Sequence, residues 1–405
     1  MSSTIRHRIP SLRAVLLLGL AIAAPIGAQQ TAPSPAPAQA PAPAPKPALD
    51  FSGVLFGNYQ YNTGLFNKNA NAFTLDRAYL TFRMAAGEHT SIRVSTDVFQ
   101  DAGNNAFTVR AKYAYLQYDV PKFSNGAALL ARVGILHTVE IDHEETFWPR
   151  YLTNTGVERA GFFSSADVGV ASQLSLPNRF GEVYAAITNG PGYASKEVDR
   201  FKDYQARLSL TPLMGSMSVP ALFRTFTLTG WAYKGALASK FANGGAGQVG
   251  PIGEAMPRDR YGVLIGIKDP RLTIAGEYAR ATTGTESGLN TLASPRVRTD
   301  VDANLLYGFT VVRPLAFIHG TASSPLALIA RYDRYKPVDN LSDYSYHFMV
   351  AGFSYDISSR ATLALDYQEQ LPESGAVLPA LTSTGTVGIA PANLKTYFAH
   401  FVVNF

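Results

Sequence analysis

From Asp50 onward the chain alternates apolar and polar positions at period two, in segments of roughly ten residues separated by Gly-, Pro- and Ser-containing breaks. Tyr204, Ala206, Leu208 and Leu210 fall on one face, and Asp203, Gln205, Arg207, Ser209 and Thr211 on the other. Leu363, Leu365 and Tyr367 oppose Thr362, Ala364, Asp366 and Gln368 in the same way, as Ile92, Val94, Thr96 and Val98 oppose Arg93, Ser95 and Asp97. Such a segment has the length of a tilted strand that crosses a bilayer. The pattern predicts sixteen strands, near 51–62, 72–84, 89–100, 107–119, 128–137, 166–176, 180–189, 202–211, 223–235, 259–268, 271–281, 303–313, 325–335, 344–356, 361–369 and 394–405.

The connections sort by parity. The even-numbered ones, such as 85–88, 177–179, 269–270 and 357–360, are tight, with 212–222 the main exception. The odd-numbered ones include 236–258, 282–302 and 370–393, long and rich in small polar residues or Pro. Outer-membrane barrels have short periplasmic turns and long external loops, so this sorting places both termini in the periplasm. A sheet edge left open in hydrocarbon would strand unpaired N–H and C=O groups, so the sheet must close. The expected fold is all-β: a transmembrane antiparallel up-and-down β-barrel of about sixteen strands.

Composition agrees with a wall wet on one side only. The 405 residues are 46% hydrophobic and 16% charged, with 21 Tyr, 23 Phe and 34 Gly, and no apolar run is long enough for a spanning helix. Cysteine is absent, which excludes disulfides, zinc–thiolate sites, a thiol nucleophile and lipoprotein acylation.

Residues 1–28 read as a signal peptide. Arg6, Arg8 and Arg13 precede the apolar run Ala14–Ala24, and small residues lead to a cut after Ala28. Residues 29–49 are an Ala/Pro-rich periplasmic linker, and 50–405 are the barrel domain. Losing three arginines takes the formal charge from +5 to +2. No basic stripe with interleaved aromatics remains, so nucleic acid is not an expected partner.

In the last segment Tyr397, Phe401, Val403 and Phe405 share a face with Ala399, opposite Thr396, His400 and Asn404. This pattern resembles the signal read by the barrel assembly machinery.

Three stretches carry a wider resemblance: Thr74-Leu75-Asp76-Arg77-Ala78-Tyr79-Leu80-Thr81-Phe82-Arg83; Ala131-Arg132-Val133-Gly134-Ile135-Leu136; and Val157-Glu158-Arg159 before Asp167-Val168-Gly169-Val170. Together they are similar to the phosphate-selective porin family, the O and P type of Gram-negative outer-membrane channels. The resemblance implies a homotrimer of sixteen-stranded channels with an inward-folded, constricting third loop. Where the family pattern has two adjacent arginines this chain has Asp76 then Arg77, which places an anion near the expected path and argues against strong phosphate selectivity.

The connection 137–165 is long for a structureless loop and is expected to fold into the lumen. It carries Glu140, Asp142, Glu144, Glu145, Arg150, Glu158 and Arg159, the candidate constriction residues. The alternation turns Arg77, Arg83, Arg93, Arg132, Arg207 and Arg331 toward the lumen, with Asp76, Tyr79 and Asp97 beside them. An Arg facing lipid at midplane would cost about 2–4 kcal/mol, which favours that assignment. An acidic loop opposite a basic wall would set a transverse field across the water. For each arginine the competing role is a wall ion pair with a carboxylate such as Asp97 or Asp333.

Asp142-His143-Glu144-Glu145 lacks the spacing of a helical zinc motif, and no cofactor or metal is expected. No Gly-x-Ser-x-Gly elbow or paired Ser and His supports a barrel lipid hydrolase, the contrasting reading, and the loops are small for a purely structural barrel or adhesin. The expected function is an outer-membrane porin passing small hydrophilic solutes with a lean toward anions such as phosphate. Its expected surroundings are outer-membrane lipid and lipopolysaccharide.

Overall fold

The computed structural model describes residues 49–64, 68–101, 106–197, 199–238, 255–287, 297–339, 345–373, 380–381, 387–388 and 394–405. The expected signal peptide and nearly all of the linker lie outside these residues. Sixteen antiparallel strands form one closed barrel, each paired with its chain neighbours and the last with the first. They are β1 (Leu49–Asn62), β2 (Asn71–Ala85), β3 (Thr90–Gln100), β4 (Phe107–Asp119), β5 (Ala128–His137), β6 (Ala166–Ser175), β7 (Gly181–Thr188) and β8 (Asp203–Leu210). The second half comprises β9 (Thr227–Ala238), β10 (Ala255–Asp269), β11 (Leu272–Ser287), β12 (Val297–Val312), β13 (Leu326–Lys336), β14 (Tyr346–Ser358), β15 (Ala361–Pro372) and β16 (Leu394–Asn404). A two-residue strand pair, Ala380–Leu381 with Val387–Gly388, stands apart from the barrel.

The burial pattern inverts that of a water-soluble protein. In β8 Asp203, Gln205, Arg207 and Ser209 are buried while Tyr204, Ala206 and Leu208 are exposed. The apolar residues Val263, Ile265, Leu363 and Leu365 are each about half exposed on the outer wall. An apolar exterior with polar groups inside is the arrangement hydrocarbon demands of a spanning barrel.

Strand extents differ from the periodicity at the loop end. β10, β11 and β12 run to 255, 287 and 297, well past the predicted limits of 259, 281 and 303. In that extension Thr282–Ser287 pairs with Val297–Asp302. Beyond the membrane both faces of a hairpin meet water, so pairing continues after the alternation has ended. At the other end two connections are longer than the tight turns because they contain helical turns, Ala221–Arg224 and Pro314–Ile318.

Closure is made by β1 and β16. Gly53 and Phe405 exchange backbone hydrogen bonds at 2.8 and 3.0 Å. The Phe405 ring covers Gly53 and the Phe401 ring covers Gly57, where any Cβ would collide with the ring. Tyr397, Phe401 and Val403 face outward, 54%, 40% and 37% exposed, on the face the alternation predicts.

Candidate functional site

The connection between β5 and β6 is the third loop on its side of the barrel, and it lies across the lumen. It contains two short helical turns, α1 (Ile141–Glu144) and α2 (Gly156–Arg159). α2 ends in a Schellman turn: Phe162 N–H bonds Val157 O and Gly161 N–H bonds Glu158 O, each at 3.0 Å, with Gly161 at φ 72°. That stop turns the chain back toward β6.

Inward side chains from six strands hold the loop's backbone or side chains. Gln205 of β8 accepts from Val139 N–H at 2.8 Å, and Arg207 donates to Val139 O. Thr229 of β9 bonds His143 at 2.9 Å, and Arg260 of β10 donates to Phe162 O at 2.7 Å. Arg331 of β13 donates to Asn154 O, and Gln368 of β15 to Leu152 O, both at 2.9 Å. On β12, Phe309 meets the Trp148 ring edge-on, with centroids 5.1 Å apart. Trp148, Ile141, Val139 and Val157 are almost completely buried, so the loop has an apolar underside packed on the β7–β15 wall.

This packing reassigns several candidates. Arg331 faces the lumen, but its side chain is 0% exposed; it forms a fork with Asp333 at 2.7 and 2.8 Å and lies under Trp148. Arg207 is covered as well, bonded to Glu182 and the loop backbone. Arg159 is held by Gln370 and stacks on Phe348. Arg331 and Arg207 brace the loop and are covered by it, while Arg159, on the loop itself, keeps 21% side-chain exposure and ties α2 to the wall.

Glu140 and Glu144 are likewise fully buried beneath the loop, with Glu277 of β11. Glu277 accepts from Trp231 Nε1 at 2.7 Å and from the Tyr307 hydroxyl, and Glu144 accepts from Gly156 N–H at 2.8 Å. Burial first, and the neighbouring Glu277 second, push the Glu144 carboxyl up to about 8. Glu140 is raised for the same reasons. Asp142 is raised by burial, against the nearby Arg207, Arg132 and Arg93.

On the loop's free side Arg150 bonds both Glu145 and Glu158, the latter at 2.7 and 3.0 Å. The loop therefore presents a largely neutralised face to the channel. The strong transverse field expected from an acidic loop is reduced by this internal pairing.

The facing wall, β2–β5, is cationic: Arg77, Arg83, Arg93, Arg110, Lys112 and Arg132 stand with Asp76, Asp97 and Asp119. Arg77 and Arg110 share Asp97, at 2.9 and 3.0 Å, and the Tyr193 hydroxyl bonds the same oxygen at 3.1 Å. Asp76 spends its oxygens on Asn58 at 2.6 Å and Thr74 at 3.0 Å.

Two β-bulges shape this wall. Phe56 pairs with Arg77 and Gly57 with Leu75, leaving Asp76 extra; Ser95 pairs with Tyr113 and Thr96 with Ala111, leaving Lys112 extra. Each bulge turns two successive residues inward, Asp76 with Arg77 and Lys112 with Tyr113. That is why β4 alternates poorly in sequence. Arg110 and Lys112 belong to the wall, and the irregular stretch was the signal for them.

Aromatic rings hold the cations in place: Arg93 lies over Tyr113 at 4.6 Å, Lys112 over Tyr79 at 4.2 Å and Arg132 over Tyr115 at 5.2 Å. Arg77 and Arg110 keep 27% and 26% side-chain exposure and Arg83 49%, against 0% for Arg331 and 5% for Arg207. The arginines of this wall are the more open ones, although Lys112 and Asp97 among them are buried.

The closed sixteen-strand barrel is shared by solved structures of outer-membrane porins. The anion-selective porin from Comamonas acidovorans matches with a TM-score of 0.58 at 9% identity, over 89% of this chain and 100% of that one. The outer membrane channel DcaP of Acinetobacter baumannii matches at 0.57 and 12% identity, over 89% and 97%. The trimer form of OmpT, an outer membrane protein of Vibrio cholerae, matches at 0.55 and 11%, over 89% and 99%. At these identities the likeness is one of fold. No family model matches the sequence, and no curated protein does.

Proposed function

We propose that this protein is a passive outer-membrane diffusion channel for small hydrophilic solutes, with a preference for anions. The observation that carries the reading is the asymmetry of the lumen: the wall β2–β5 holds six cations, five of them arginines and the sixth the buried Lys112, against the three carboxylates Asp76, Asp97 and Asp119, while the loop's acids are buried or paired with Arg150. A low-dielectric tube lined by one sign of charge concentrates the opposite ion, and weak stacked sites let it leave again. Aqueous passage between the loop and β2–β5 needs no covalent step.

The anion-selective porin among the similar folds supports this reading, and the resemblance to phosphate-selective channels extends it to oxyanions such as phosphate. The trimer form of OmpT supports a homotrimeric assembly. The outward aromatic face of β16 supports delivery by the barrel assembly machinery into a lipopolysaccharide-bearing membrane.

Reversal potentials in a potassium chloride gradient across planar bilayers test the proposal. A potential on the chloride side of zero is expected. A potassium-side potential overturns the anion preference, and absence of conductance from correctly folded protein overturns the channel.

A further inference from the structure

At the short-turn end of the lumen, the periplasmic end of such barrels, Arg83 of β2 stands directly opposite Arg93 of β3. Like charges in directly opposed positions destabilise a sheet, so their placement calls for a compensating group. The protein supplies little. The nearest carboxylate to Arg83 is Asp50 at 4.0 Å, and both side chains are largely exposed. Arg93 spends Nε on Ser95 at 3.0 Å and Nη1 on His137 at 3.4 Å. Arg132, one row nearer the turn, spends Nε on Gln117 at 2.9 Å and Nη1 on Gln173 at 3.4 Å. Neither Arg93 nor Arg132 has a carboxylate among the described residues within salt-bridge distance, in contrast to Arg77, Arg150, Arg207, Arg258 and Arg331.

Arg83, Arg93, Tyr115, Gln117, Ser91 and Asp50 line one recess of about 260 Å³. Tyr113 stacks under Arg93, and neutral amides hold Arg132 next to the recess without cancelling its charge. Arg93 and Arg132 each keep an unspent Nη2 and have no carboxylate within salt-bridge distance, Asp142 of the loop acting on both from farther away; with Arg83 across the recess they match a group that brings several acceptor oxygens and more than one negative charge.

We propose that this recess is a binding site for a doubly charged oxyanion, held between Arg83 and Arg93 with Arg132 contributing from the next row. The site rests on the anion-channel reading and adds a ligand class and a place to it. It lies on the turn side of the loop, where a solute would pause after the constriction. Phosphate and dicarboxylate dianions share the required chemistry.

The test records chloride current through the full chain in planar bilayers while phosphate, succinate or acetate is added at pH 8 and constant ionic strength. Saturable inhibition by phosphate or succinate is expected, with acetate much weaker. A lower half-inhibiting concentration for phosphate identifies a phosphate site, and a lower one for succinate a dicarboxylate site. The R83Q/R93Q double variant is expected to raise the half-inhibiting concentration at least about tenfold, the loss of one or two charge-assisted bonds. R93K, which keeps charge and loses the fork, should fall between, and serves if the double variant does not fold. Equal inhibition by acetate, or unchanged inhibition in these variants, overturns the site while leaving the channel reading intact. A potassium-side reversal potential in the wild type overturns the parent reading instead.

Discussion

The two halves of the lumen use the same residue types for opposite ends. Beneath the loop, each arginine meets a carboxylate or a backbone carbonyl: Arg331 with Asp333 and Asn154 O, Arg207 with Glu182 and Val139 O, Arg260 with Phe162 O. Along β2–β5, Arg93 and Arg132 spend their hydrogen bonds on neutral side chains, and Arg77 and Arg110 divide one carboxylate between them. Burial decides which is tolerable. A dry ion must be paired because its desolvation is otherwise uncompensated, whereas an ion in contact with water can stay bare and act on a passing solute. One wall therefore fixes the loop and the other is left more open.

The largest expected effect comes from cutting the brace. Arg331→Ala leaves Asp333 buried without its fork and frees the loop at Asn154, which should cost about 3–5 kcal/mol of stability. Heat-modifiability on gels and thermal melting in detergent read that loss, and a change within 1 kcal/mol would show that the covered wall does not carry the loop. Arg132→Ala should show the converse: little change in melting, and a reversal potential that moves toward zero, most clearly at low salt where screening is weak. Arg77→Ala should move selectivity the same way by a smaller amount, because Asp97 already offsets part of its charge. If Arg132→Ala lowers stability as much as Arg331→Ala does, the division between the two walls fails.

Next in size is a pH effect confined to the loop. Glu144, whose ordinary value of 4.5 is raised to about 8, is protonated in the packed loop over the interval between them. Its contribution to holding the loop is fully present below 4.5 and is lost as pH rises through about 8. Current noise from loop motion should therefore increase between pH 6 and pH 9. Glu144→Gln, which fixes the neutral form, should flatten that dependence; an identical rise in the variant would place the titrating group elsewhere. The smallest effect is expected at the seam, away from either wall. Gly57→Val displaces the Phe401 ring and should lower the melting temperature by a few degrees with unchanged selectivity.

Much of the barrel was written in the alternation, because hydrocarbon outside and water inside impose period two on every crossing. Asp203–Leu210 and Ala361–Gln370 could be turned the right way from that rule alone. The outward face of Tyr397, Phe401 and Val403 and the inward side of the candidate arginines follow from it as well, whereas the parity of the connections is a separate signal, from loop length. The rule gives no information where both faces are wet, so it stopped short on β10–β12, and it breaks at an extra residue, so β4 alternates poorly although Arg110 and Lys112 share a face in the sequence.

The sequence by itself determined which side chains look inward. Only the tertiary structure decided which of them touch water. Arg93 and Arg331 are the same residue on the same kind of face, and periodicity treats them alike. What separates them is a loop from elsewhere in the chain, whose apolar underside of Val139, Ile141, Trp148 and Val157 settles on one half of the lumen. Exposure depends on contacts between residues far apart in sequence, and a local pattern cannot carry that information.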